Sequence, residues 1–209
     1  MKMIMLKDLE KMEELFSMVG SWSIWDSKNV KDMAWVDDVK NGKIVLKTNY
    51  VFVGLNWSGV DYNAVGPWSG FHASGWDAHL RDALMGTRFQ GCYITDIVKC
   101  YPESVSSEVV FDETKKAVQD AKEKALELWG PKGIISKNDT FKDMCKKVFL
   151  KELEYLDDDV KIIAMGNKAY EILWDMFPDK KKNIYKIRHY SRSSKNYPVE
   201  VQSQLKAIP

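Results

Sequence analysis

Residues 50–70 read YVFVGLNWSGVDYNAVGPWSG, and this stretch decides the fold. Residues 50–53 form a short apolar run of the kind that makes a buried strand. Gly54, Asn56, Ser58, Gly59, Gly66, Pro67 and Gly70 then break the run. A buried strand that feeds a Gly-rich loop is how α/β proteins present binding residues at a strand's carboxyl end. Asn56 and Ser58 are expected there.

Working outward, three further runs read as strands: 91–98 (GCYITDIV), 160–165 (VKIIAM) and 184–188. Helical periodicity fills the gaps between them. Asp112 is placed to cap a helix with Ala117, Val118, Ala121, Ala125 and Trp129 on one face. Asp139 or Thr140 caps the next, whose inward face is Phe141, Met144, Cys145, Val148, Phe149, Leu153 and Leu156. Gly166-Asn167 turns the chain into a helix over 168–177. Shorter helices are expected over 76–85 and after Pro198. Upstream, Leu6, Leu9, Met12, Phe16 and Val19 make an amphipathic helix that stops at Gly20. Asn41-Gly42 reads as a hairpin turn between two strand-like runs. Strands alternating with helices imply parallel pairing through right-handed crossovers. The expected fold is α/β: one domain over 1–209 with a central, mostly parallel four-stranded sheet and helices on both faces. Residues 1–49 form an N-terminal extension and 50–195 the core.

The 31 basic and 30 acidic residues nearly cancel, so any basic surface must be local. Three cysteines, at 92, 100 and 145, make no disulfide framework and point to a reducing compartment. The opening residues mix charge with apolar side chains, unlike a signal peptide, and no stretch approaches about 18 apolar residues. The acidic residues on the first helix direct it to a core rather than a membrane. A soluble, cytoplasmic monomer is expected.

Asn56, Asp96 and His189 each stand at or just beyond the end of an expected strand. In a parallel sheet those ends face one side, so the three are expected to meet. Each has a plainer reading alone: Asn56 as a turn residue, Asp96 as a backbone cap, His189 as a surface histidine. Lys180, Lys181, Lys182, Lys186, Arg188, Arg192 and Lys195 crowd around His189 in sequence, with Tyr185, Tyr190 and Tyr197 interleaved. That run is either a solvated face or a phosphate-contacting surface, and its place beside the site favours the second. His72, Asp77 and His79 do not have the spacing of a recognised metal motif, and no metal is expected.

Four stretches carry a resemblance to the uracil-DNA glycosylase superfamily, nearest its iron–sulfur branch. VGLNWSG (53–59) resembles the first motif, and GPWSG (66–70) the Pro-aromatic segment that stacks on the base. YITDIVKCYPE (93–103) is similar to the strand motif YITNxVKCRPP. IIAMGNKA (162–169) with RHYSRSS (188–194) resembles the strand–helix and His-Pro-Ser loop. The resemblance implies an enzyme that flips a nucleotide from DNA and hydrolyses its N-glycosidic bond. His189 would donate to the base oxygen, and Asn56 would position water. Trp68 would stack on the base, with Gly54, Leu55 and Asp96 also contacting it. Ser58, Ser191, Arg192 and Lys195 would hold the nucleic acid, Arg192 either filling the gap in the duplex or pairing with phosphate. The alternative is a weak or inactive member that binds nucleic acid, a free base or a nucleotide.

Departures from the family pattern shape these expectations. Asp96 stands where the family has Asn. An ionised carboxylate offers acceptors only, so Asp96 is expected to disfavour uracil and to suit either a base presenting N–H groups or no base at all. Trp57-Ser58 replaces Pro-Gly, and Tyr190 replaces the Pro after the histidine. Cys100 and Cys145 fall near cluster-ligand positions, but the other pair is missing, so no iron–sulfur cluster and no other cofactor is expected.

Overall fold

The computed structural model describes residues 4–56, 66–72, 75–101, 108–190 and 196–209. The elements run α1 (Leu6–Phe16), β1 (Gly20–Trp22), α2 (Trp35–Lys40), β2 (Lys47–Asn56), α3 (Asp77–Leu84), β3 (Cys92–Val98), α4 (Lys116–Trp129), α5 (Phe141–Leu153), β4 (Lys161–Met165), α6 (Asn167–Met176), β5 (Ile184–Ile187) and α7 (Tyr197–Lys206). The fold is α/β with one mixed sheet of order β1-β3-β2-β4-β5.

The sheet has five strands, not the four expected. β1 lies inside the supposed extension and pairs antiparallel with β3, Gly20 opposite Thr95 and Trp22 opposite Tyr93. Three residues are too few to show a period, so the strand is invisible until its partner is known. The other pairings, β2 with β3, β2 with β4 and β4 with β5, are parallel. α1 buries Leu9, Met12 and Phe16, the stripe its spacing implied. Thus residues before 50 complete the sheet edge and part of the core.

Two local expectations also change. Asn41-Gly42 ends α2 instead of turning a hairpin. The Asn41 N–H donates to Asp37 O and the Gly42 N–H to Val39 O, as at a helix C-terminus. Asp112 precedes its helix. Its Oδ1 accepts from Thr114 N and Oγ1, and α4 starts at Lys116. Thr140 does cap α5, its Oγ1 accepting the Asp143 N–H at 3.1 Å.

β2 is central and buried on both sides, which explains its unbroken apolar run. Its side chains alternate between two hydrophobic clusters. Val51, Val53 and Leu55 join residues of α1, α4, α5 and α6 in one cluster. Tyr50 and Phe52 join residues of α3 and α7 in the other. Burying a side chain such as Phe52, fully enclosed, contributes about 1.5–3 kcal/mol. The connection after β2 includes α3, which packs with the second cluster. Those after β3 and β4 carry α4, α5 and α6, which pack with the first. Chains leaving neighbouring strands toward opposite faces open a crevice at the strands' carboxyl ends. The carboxyl ends of the three central strands are Asn56, Val98 and Met165.

Candidate functional site

Gly54 and Asp96 are register partners on β2 and β3. A Cβ built on Gly54 would collide with Asp96 Oδ1 and stand 3.6 Å from Met165 Cε. Glycine is therefore what lets the Asp96 carboxyl lie across β2. Asp96 as a residue is half-buried, with its carboxyl turned inward against Gly54. Burial pushes it up to about 7. Lys99 opposes that rise, and Glu152 and Asp77 add to it. Burial thus favours the protonated form of Asp96 more than in a free carboxylate, against the ionised form expected from the sequence.

His189 follows β5 and sits over Gly166 at the end of β4. A Cβ at Gly166 would lie 3.2 Å from His189 Cβ, and Gly166 has φ +98°, a conformation that suits glycine. Burial lowers the His189 pKa, favouring neutral imidazole. Its ring stacks on Tyr190 with centroids 4.8 Å apart and planes 14° from parallel. Tyr190 is hydrogen-bonded to the side chain of Asp77, and both Asp77 and Asp96 oppose ionisation of its phenol. Asp77, in the first turn of α3, is only 4% exposed. Asp96 thus lies against Gly54, His189 against Gly166, and Tyr190 links the His189 ring to Asp77. The sequence reading did not bring Asp77 and Tyr190 together: they lie 113 positions apart, on α3 and after β5, and neither sits in a pattern that signals the other.

Other expected site residues take different places. Asn56 ends β2, half-buried, and its Nδ2 donates to Tyr101 O at 2.8 Å, tying β2 to the segment after β3. The Leu55 side chain points into the first core cluster, the face opposite Asp96. Trp68 is 1% exposed, packed at 6.3 Å from the Trp22 ring. Its backbone is left-handed at φ 65°, and its Nε1 donates to Glu13 Oε2 at 3.2 Å. A ring so enclosed has no open face for the expected stacking on a base. Ser58, Ser191, Arg192 and Lys195 lie outside the described residues.

The basic run divides. Lys180, Lys181 and Lys182 belong to a 3₁₀ helix, Pro178–Asn183, that leads into the amino end of β5. They are at the edge of the sheet opposite His189, because β5 runs parallel to β4 and carries the chain across to the crevice. Lys181 covers the Trp174 ring at 4.9 Å, and Lys186 covers Tyr170 at 5.4 Å. Arg188 is ion-paired with Glu200. The lysines nearest to His189 in sequence are thus not all near it in space.

Beneath Asp96, on the other face of β3, lies a dry polar network. Lys99 Nζ and Glu152 Oε2 are 2.7 Å apart, with side chains 1% and 0% exposed. Lys99 also donates to Thr95 Oγ1 at 2.7 Å. Thr95 Oγ1 and Tyr93 OH donate to Glu152 Oε1 at 2.7 and 3.0 Å. Burial pushes the Glu152 carboxyl up, and the Lys99 ammonium pulls it back. The three bonds leave the carboxylate well satisfied, the condition for tolerating it in a core.

The cysteines do not suit an iron–sulfur cluster. Cys100 and Cys145 lie in the first core cluster and influence each other's surroundings, while Cys92 is in the second, at the start of β3. Burial raises all three thiols to about 12, away from the thiolate form a cluster needs. Among the described residues no group of three or more His, Cys, Asp or Glu is arranged to hold a metal ion. His72 is core: 1% exposed, its Nε2 is 2.9 Å from Ser21 Oγ, and its ring lies between Trp25 and Trp35 at 5.4 and 5.9 Å. No helix of the described residues is long and apolar enough to cross a membrane. No protein-family model matches this chain, and no curated protein matches it.

Proposed function

We propose that the protein is an N-glycosidic-bond hydrolase with the three-layer α/β/α fold of the uracil-DNA glycosylase superfamily, acting on a base turned out of DNA. The observation that carries this reading is the contact of Asp96 with Gly54 at the crevice into which the His189 loop also folds. Base excision needs a group that reads the base, a donor for the charge leaving with it, and a positioned water. Asp96 supplies the first. His189 supplies the second: kept neutral by burial, its N–H donates to the base oxygen as negative charge grows there. Asn56, at the end of β2, would supply the third by orienting the water. The carbon–nitrogen bond breaks with its electron pair going to the base, water oxygen bonds to the anomeric carbon and releases a proton to solvent, and the departed base takes up a proton from solvent.

Oligonucleotides, single- and double-stranded, carrying uracil, hypoxanthine, xanthine or a mismatched thymine test the reading. Abasic product made by the native protein and lost in His189→Ala supports it. Tight binding with no product from any substrate favours the second reading, a member that binds nucleic acid or a free base without cleaving it.

A further inference from the structure

The outer face of α6 carries two rings that the core covers only in part. Tyr170 and Trp174 stand one helical turn apart with centroids at 5.3 Å, and Trp174 is 37% exposed. An open groove of about 600 Å³ runs beside them, lined also by Glu171, Asp175, Pro178 and Lys181. Lysines from the next two elements come down on the rings. Lys181, in the 3₁₀ helix Pro178–Asn183, lies over Trp174 at 4.9 Å, and Lys186, on β5, over Tyr170 at 5.4 Å. Lys180 and the exposed Lys182 share that 3₁₀ helix. Of the acids here, Asp175 is ion-paired with Lys142 of α5, and Lys181 and Lys146 also act on it. Glu171 and Asp179 add negative charge, but the lysines of α5, the 3₁₀ helix and β5 outnumber the acids. In a chain of net charge +1, this is a local gathering of cations. α6 starts beside Gly166, on which His189 rests, and ends at Met176. Its outer face is therefore a track about 15 Å long that leads from the crevice edge of the sheet to the amino end of β5.

We propose that this face of α6 binds single-stranded nucleic acid, with its lysines on the phosphates and its two rings stacked on bases. Every base has a π-face and every nucleotide brings a phosphate, so rings interleaved with cations fit such a strand whatever its sequence. A cation–π contact at an exposed site is weak, so a phosphate can draw the Lys181 ammonium off Trp174 and leave that ring face to a base. An acidic polypeptide would satisfy the lysines but give the rings no planar partner, and for that reason the rings favour nucleic acid. The surface is separate from Asp96 and His189, and its occupation requires no base excision. It gives a role to Lys180, Lys181 and Lys182, which lie at the sheet edge opposite His189.

The probe is a fluorescently labelled oligothymidylate of about twelve nucleotides, which has neither a lesion nor a duplex. Its binding is followed by anisotropy over a range of salt concentrations, with native protein and four variants. Trp174→Ala is expected to bind about tenfold more weakly, the loss of one stacked base. Trp174→Phe keeps a ring and is expected to retain most of the native affinity. Lys181→Ala is expected to lower the slope of log affinity against log salt by about 0.7, one phosphate contact on a single strand. His189→Ala is expected to bind as the native protein does. Native affinity in Trp174→Ala, or a Trp174→Phe as weak as Trp174→Ala, overturns the stacking surface. A loss confined to His189→Ala also overturns it, because the strand then lies in the crevice. Equal competition by polyglutamate of matched charge shows that charge alone is read, and overturns the choice of nucleic acid. Absence of binding even at low salt overturns the proposal outright. Release of a base from the substrate panel still decides the glycosylase reading separately, so either reading can fail while the other stands.

Discussion

Asp96 Oδ1 occupies the space where any residue other than glycine at position 54 would place its Cβ. The two residues are paired across β2 and β3, so the contact is set by strand register and not by a mobile loop. Gly54→Ala is therefore expected to displace the carboxyl from the crevice at a cost of about 1–3 kcal/mol, the range for overpacking. Urea denaturation gives the stability, and the Asp96 titration gives the displacement. If Gly54→Ala leaves both unchanged, the contact does not govern the site.

Gly166 holds His189 from below. Gly166→Ala meets two separate penalties: a side chain at φ +98° and a contact of 3.2 Å with His189 Cβ. Together they are expected to cost roughly 1–3 kcal/mol. His189→Gly removes the steric part but not the backbone part. A double-mutant cycle should therefore show Gly166→Ala to be cheaper in the His189→Gly background. Strict additivity would mean that the two residues do not press on each other.

The Lys99–Glu152 pair is worth more as a pair than either member is alone. Lys99→Met leaves a buried carboxyl without its cation, and a loss of about 3–5 kcal/mol is expected. Adding Glu152→Gln keeps acceptors for Tyr93 and Thr95 and removes the stranded charge, so the double variant should regain part of that loss. A double variant no more stable than Lys99→Met would show that packing, not charge, dominates there.

His72 gives stability an acid limit. Burial lowers its pKa to about 4 from 6.5. The unfolded chain therefore binds the extra proton first, and the ring's contribution to stability is complete above pH 6.5 and lost as pH falls toward 4. The span corresponds to roughly 3 kcal/mol. Subtracting the stability of His72→Gln from that of the native protein across this window isolates the ring. A pH-independent difference would contradict the assignment.

Asp96 acts in the opposite sense. Its pKa is raised from 3.8 to about 7, so the folded protein binds its proton more tightly than the unfolded chain does. Its contribution is fully present below pH 4 and declines as pH rises to about 7. Asp96→Asn is expected to gain stability relative to the native protein as pH increases over that window, measured by chemical denaturation at pH 5 and pH 8. An unchanged difference at the two pH values would remove the case for a raised carboxyl.

Much of the scaffold was legible locally. The α5 stripe from Phe141 to Leu156 is buried as its spacing implied, and Thr140 caps it. The shared edge was legible too: β3 and β5 run in the same direction, so Asp96 and His189 lie toward one edge of the sheet. Other assignments failed for one reason, that neighbours in sequence need not be neighbours in space. Trp68 follows a Gly-rich loop as an exposed ring would, yet Glu13 and Trp22 hold it in the core. Lys180, Lys181 and Lys182 precede His189 by only a few residues, yet β5 carries the chain from them to the opposite edge.

By itself, the sequence determined the apolar runs of β2, β3 and β4 and the helical stripes between them, because burial imposes a period that a single segment displays. Only the tertiary structure decided that β1 completes the sheet, that Gly54 makes room for Asp96, and that Asp77 of α3 meets Tyr190. Those relationships depend on register and on which side of the sheet each connection crosses. The protonation of Asp96 follows from them, since it is set by enclosure and by charges brought close through folding.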